Sequence, residues 1–209
     1  MKRAKFDDAA REALTNCVKK IETTTDAELI LVVRARSGFY RHADYLFAAL
    51  LAFAGLLFLI FSPFDFNQYW VAIDVALLFL LGTFVASRSN TLRRLLSSEK
   101  FRDEAVRTSA AAMFYEAGIA NTNAEMGVLI YLSIFERRLE LIADRGVLKG
   151  VNALEWNQIL FDLHQAGRKP EPQTLLAGLE NLGALLRNQL PATGENPNEL
   201  PDLPRFELK

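Results

Sequence analysis

Sulfur, histidine and surplus charge are all scarce in this chain, and each shortage excludes a class of function. One cysteine, Cys17, stands among 209 residues, so no internal disulfide can form. Cys17 falls on the apolar face of a helical pattern and reads as a small buried hydrophobe. The two histidines, His42 and His164, lie far apart and lack metal-ligand spacing, so no zinc site is expected. His164 reads as a partly buried or capping residue near the end of a helix. A formal net charge of -1 offers no global basic surface to nucleic acid. The opening Met-Lys-Arg-Ala-Lys-Phe-Asp-Asp has no apolar h-region, and no cleavable signal peptide is expected. Glycine-rich phosphate loops are missing too. Gly146 and Gly150 stand in Asp-Arg-Gly-Val-Leu-Lys-Gly, which reads as a turn after a strand rather than a phosphate cradle. No Ser-His-Asp arrangement is visible.

What the chain has in abundance is uncharged apolar sequence. Leu46 to Phe61 carries no charge, and with its flanks the run covers about 43–63, roughly the 20 residues that cross a hydrocarbon core of about 30 Å. Residues 69–87 form a second run, interrupted by Asp74. The connector from Ser62 to Gln68 is short, so the two helices should be antiparallel neighbours. Tyr45, Tyr69 and Trp70 fall at the span ends, where amphipathic rings favour the interface. A domain this small could not bury two helices that are apolar all round. Residues 43–87 therefore read as a transmembrane hairpin. Arg34, Arg36 and Arg41 precede it, Arg88, Arg93, Arg94, Lys100 and Arg102 follow it, and the connector has neither lysine nor arginine. By the positive-inside rule both termini are cytoplasmic, in a cell (inner) membrane. Asp74 lies about one turn from the outer interface. It is read as a capping or snorkelling residue, with a role in oligomer contacts or proton handling as the alternative.

Around the hairpin the periodicity changes. Phe6, Ala9, Ala10, Ala13, Leu14, Cys17, Val18 and Ile21 recur at helical spacing. Glu28 to Arg34 reads as a strand buried on both faces. After the hairpin come a helix marked by Phe101, Ala105, Thr108, Ala112 and Tyr115 and ending at Gly118, then a buried strand at 128–134. A tight turn around Glu136 leads to an alternating strand over 138–144. Two more helices are expected near 154–165 and 173–189, with Trp156, Ile159, Leu160 and Leu163 as a core stripe. Residues 191–209, rich in Pro, Asn and Glu, read as a disordered tail. The discontinuous domain is thus 1–41 with 88–190.

Strand, helix, strand predicts a parallel crossover, and the tight turn makes the third strand antiparallel to the second. Strand directions then put Arg34, Arg36, Arg137 and Arg138 on one edge and Asp26, Glu28, Asn123, Glu125 and Asp144 on the other. A basic edge gains about 1 kcal/mol per residue near anionic lipid. Arg137 and Arg138 are either a solvated hairpin tip or a docking site for a membrane partner. The acidic edge is either solvated surface or a cation site. Glu28, Glu125 and Asp144, helped by Asn123, are the candidate ligands for calcium or magnesium.

Thr25-Asp26-Ala27-Glu28 followed by Leu29 to Val33, and the run Gly127-Val128-Leu129-Ile130 through Arg137-Arg138 to Asp144-Arg145-Gly146-Val147, resemble the TPM domain family over roughly residues 5–36 and 99–190. The second block is the specific part. The resemblance implies a compact three-layer α/β/α sandwich with a small mixed sheet, here interrupted by an inserted hairpin where simpler members have a loop. It also implies divalent-cation binding and similarity to a thylakoid acid phosphatase involved in photosystem repair, other members being tied to membrane-complex maintenance. Where many members place aspartate before the second strand, this chain has Asn121, Asn123 and Glu125. Two functions are therefore expected. One is a membrane-anchored accessory module serving a membrane complex at the cytoplasmic face. The other is a divalent-metal-dependent phosphatase working through metal-bound water.

Overall fold

The computed structural model describes residues 6–64, 66–122, 124–194 and 204–208, and it resolves into two compact units, 1–37 with 103–209 and 38–102. The first is built on a four-stranded sheet of order β3-β2-β1-β4. Its elements are α1 (Asp8–Glu22), β1 (Glu28–Arg34), α5 (Glu99–Glu116, from Asp103 onward), β2 (Gly127–Ser133), β3 (Arg138–Ala143), α6 (Arg145–Gly150), α7 (Ala153–Arg168), α8 (Pro172–Gln189) and β4 (Arg205–Glu207). β1 and β2 are parallel, with Glu28 opposite Gly127 and Arg34 opposite Ser133. β2 and β3 are antiparallel, with Val128 opposite Ala143 and Ser133 opposite Arg138. Both directions agree with the order expected from the sequence.

Alternation sorts each strand between two apolar clusters, because successive side chains point to opposite faces. Leu29, Leu31, Val33, Val128, Ile130, Leu132, Leu139 and Leu141 pack with Leu14, Val18, Trp156, Leu163, Leu179 and Leu186 from α1, α7 and α8. Ile30, Val32, Leu129 and Tyr131 meet Val106, Ala110, Met113 and Phe114 of α5 on the other side. Burying each Leu, Ile or Val side chain contributes about 1.5–3 kcal/mol. The central strands are therefore stable only when both helical faces are present. Asp7 caps α1, its carboxylate accepting from the Ala10 amide at 2.9 Å. Gly118, at φ 77°, ends the stretch after α5 in the left-handed region that glycine occupies at little cost.

Two expectations need correction. The stretch read as a disordered tail returns to the sheet: Val32, Val33 and Arg34 pair in parallel with Arg205, Phe206 and Glu207 of β4. The cause is an unfilled edge. β1 would otherwise present free amides, and Glu207 carbonyl oxygen accepts from the Ala35 amide at 2.8 Å. The turn read at Asp144–Gly150 is the short helix α6, because Asp144 Oδ1 accepts from the Arg145 amide at 2.7 Å and caps it.

The second unit holds α2 (Arg41–Phe61), α3 (Gln68–Arg88) and α4 (Asn90–Leu96). α2 and α3 are long and apolar enough to cross a membrane, with mean hydropathy of 2.2 and 2.1 in their most apolar windows, only 17% and 11% of which are buried. At 21 residues each they span roughly 31 Å. Leu50, Phe53, Ile60 and Leu80 face outward. Small residues set the contact between the helices: a Cβ on Gly82 would lie 2.7 Å from the Ala48 Cα. Such close approach is how helices associate where lipid removes the hydrophobic drive. At the foot of the pair, Asp44 is 4% exposed and accepts two bonds from Arg93, at 2.7 Å from Nε and 2.6 Å from Nη2. This hydrogen bonding raises the Arg93 pKa, with burial opposing it and charge attraction adding to it. Arg93, counted among the flanking charges, is thus a paired residue, and α4, begun by a Ser89 cap on the Leu92 amide at 3.3 Å, extends the helical stretch beyond the expected span.

Candidate functional site

The strand directions place the polar groups at two opposite ends of the sheet. Glu28 opens β1, and Gly127, its partner, also accepts from the Asp144 amide at 2.9 Å. Glu125, at φ 54°, accepts from the Gly146 amide at 2.9 Å through its carbonyl oxygen. The backbones of the three candidate ligands thus share one edge. Their side chains do not assemble a binding group: among the described residues, no three His, Cys, Asp or Glu converge to hold a metal ion. Asp144 spends one oxygen on the α6 cap. Glu125 points to solvent and Glu28 is buried. Asp26 grips the segment after α8, accepting from the Thr193 amide at 2.9 Å and hydroxyl at 2.8 Å. Asn123 lies outside the described residues. Among the described residues the candidate ligands thus do not gather their oxygens around one point, as calcium and magnesium sites do.

The other end carries the arginines. Arg34 pairs with Glu207 at 2.7 Å, and its pKa is raised chiefly by the Tyr131 hydroxyl and further by Glu207, against the cost of burial. Arg138 pairs with Asp103. Arg36 and Arg137 are exposed. Between them lies a buried polar chain that sequence reasoning missed. Ser37 Oγ contacts the Tyr131 hydroxyl at 2.9 Å and donates to Ser133 Oγ at 2.9 Å. Ser133 in turn donates to Glu136 Oε2, while Glu136 Oε1 accepts from the Ser37 amide at 2.9 Å. Ser133 is 0% and Glu136 2% exposed. A buried carboxylate must have such donors or it costs several kcal/mol. The signal was a serine ending the apolar run Val-Leu-Ile-Tyr-Leu-Ser, followed by Glu136, which was read only as a turn residue.

A second titratable group gathers on the outer strand. Burial pushes the Glu140 carboxyl above its ordinary range; His164, Arg107 and Arg138 pull it back, and Asp103 adds to the rise. His164 is half-buried, as expected, and Trp156 sits in the core. Burial foremost, then Glu180, pushes the Cys17 thiol up, with Lys20 opposing. Cys17 is half-buried rather than enclosed in the core.

No protein-family model matches the chain, and no curated protein matches it. Among solved structures, the NMR structure of BA42 protein from the psychrophilic bacterium Bizionia argentinensis is similar, with TM-score 0.56 and 15% identity over 96% of this chain and 94% of that one. At that identity the likeness is one of fold.

Proposed function

We propose that the chain is a TPM-like accessory module anchored in the cell (inner) membrane by α2 and α3, with both termini cytoplasmic. It would act at the cytoplasmic face in the assembly or maintenance of a membrane complex. The observation that carries this reading is the second unit. Two helices of spanning length keep their apolar faces uncovered, and apolar surface of that extent needs lipid or protein around it. Arg41, Arg88 and Arg94 flank the helices, and the connector from Ser62 to Asn67 has no lysine or arginine, which supports the orientation. The accessory role is supported by the TPM resemblance and by a sheet end that groups Arg34, Arg36, Arg137 and Arg138. The phosphatase alternative is supported by the resemblance alone, since among the described residues no three potential metal ligands converge.

Reporter fusions test the anchoring. A cytoplasmic reporter after Lys209 should be active and one near Asn67 inactive, with the converse for an extracytoplasmic reporter. Recovery of the full chain in the soluble fraction, or an extracytoplasmic C-terminus, overturns the topology. Cross-linking in intact membranes before detergent extraction should trap a discrete complex; recovery of the uncross-linked chain alone refutes the accessory role.

A further inference from the structure

Beyond that reading, we infer that the cavity between the β2–β3 turn and the α7–α8 junction is a site for a phosphate-type anion. The cavity measures about 220 Å³ and is lined by Phe6, Ile134, Arg137, Arg168, Lys169, Pro170 and Glu171. Drug-sized ligands occupy pockets of roughly 300–1,000 Å³, so this one suits a single small group. Three cations line it, Arg137 from the β2–β3 turn and Arg168 and Lys169 from the end of α7. None of Arg137, Arg168 and Lys169 has a carboxylate in ion-pair contact among the described residues. Glu171 is the acid among the described lining residues and has a partner of its own, so cations outnumber acids in the described lining, as an anion such as phosphate requires.

The three cations differ in what else explains them. Arg168 ends α7, where a cation is favoured by the helix dipole. Arg137 has no such local reason. It sits at φ 56°, a region where glycine or asparagine would be the less strained choice. Its guanidinium, a planar fork suited to tetrahedral oxyanions, shares the cavity lining with the other two charges. The neighbouring backbones are fixed by close packing: a Cβ on Gly167 would come within 2.6 Å of the Leu139 amide nitrogen and 3.1 Å of the Arg138 carbonyl carbon. Residues 168 and 169 therefore cannot drift from the turn that carries Arg137. Phe6 and Ile134 supply an apolar floor. A phosphate group can come from free phosphate or from a lipid headgroup.

The test uses the full chain in a non-ionic detergent, titrated with inorganic phosphate against chloride at equal ionic strength and followed by calorimetry and melting temperature. Saturable binding and a rise in melting temperature are expected with phosphate and not with chloride. Arg168→Gln with Lys169→Gln should weaken binding at least about tenfold. Arg137→Asn, which keeps the left-handed backbone, should weaken it similarly. Lys19→Gln, an exposed charge change on α1, should leave it intact. The exposed positions make unfolding easy to exclude from the melting curve without phosphate. Short-chain phosphatidic acid below its micelle concentration separates the two sources: tighter binding than phosphate assigns the site to a lipid headgroup, equal binding to free phosphate. Failure to bind phosphate, or binding that survives all three substitutions, overturns the inference.

Discussion

Substituting alanine for glycine in a helix ordinarily stabilises it, by up to about 1 kcal/mol. Gly167 and Gly178 should respond with opposite signs, because their surroundings differ in what can move. At Gly167 the added Cβ would meet the Leu139 amide nitrogen at 2.6 Å and the Leu139 Cβ at 2.8 Å. Ordinary contact begins at 3.4 Å, so backbone would have to retreat by about 0.8 Å. α7 packs on β3 at this point, and neither can yield without disturbing the ladder to β2. Overpacking of that kind costs about 1–3 kcal/mol. Gly167 lies next to the last residue of α7, where little helix propensity is recovered. The net loss is roughly 1–2 kcal/mol, a fall of about 2–8 °C in melting midpoint for a chain of this size. At Gly178 the near atom is Leu163 Cδ2 at 2.5 Å, the tip of a side chain that can rotate. There the propensity gain offsets the small rearrangement, and Gly178→Ala should be neutral or stabilising by under about 1 kcal/mol. Thermal melts of the full chain and both variants in one detergent decide it. If Gly167→Ala melts at or above the parent, the tight α7–β3 contact is wrong, and so is the anchoring of Arg168 and Lys169.

Asp44→Ala leaves Arg93 without its buried acceptor and should cost on the order of 3 kcal/mol; adding Arg93→Leu should recover part of it, and a double variant no more stable than the single one refutes the pairing. For Glu140 the folded pKa is raised, so its contribution to stability is greatest when both states are protonated and is lost as pH rises through the folded value. Glu140→Gln should therefore gain on the parent between acid and neutral pH in parallel melts, and a constant difference across that range counts against the burial. Removing residues 204–209 takes away the Arg34–Glu207 pair, with side chains 35% and 41% exposed and worth under about 1 kcal/mol, but it uncovers the β1 edge. Light scattering should show concentration-dependent self-association of the shortened chain in micelles, and a monodisperse product matching the parent would mean that β4 protects nothing.

Long, strongly patterned segments were readable directly. The apolar runs of β1 and β2 allow no other placement than between two helical layers, and α2 and α3 announce themselves by hydropathy. Elements specified by distant partners were not. Arg205-Phe206-Glu207 has no periodicity of its own and becomes a strand because β1 lacks a neighbour on that side. Asp44 resembles any acid in a first helical turn until Arg93 closes on it. Asp144 stands at a strand end, where the sequence leaves it either solvated surface or a cation ligand; the local capping bond from the Arg145 amide, which takes its Oδ1, is visible only in the structure. Strand directions are enough to group the acids on one edge, but they say nothing of side-chain reach, and among the described residues no three of these groups converge. Ser133 and Glu136 are three residues apart, yet their significance depends on Ser37, which the hairpin separates from them in sequence.

The interruption of the domain also sets an order of events during synthesis. β1 leaves the ribosome with both faces apolar and neither edge paired, and about ninety residues must follow before β2 can join it. Its other neighbour, β4, lies more than 170 positions later. Contacts of such sequence separation form late and slowly. The nascent chain therefore carries an unsatisfied, aggregation-prone strand through most of the synthesis of this unit. That makes the interval before β2 and β4 arrive the vulnerable one, and shielding of β1 by a chaperone in that interval should raise the yield of folded protein.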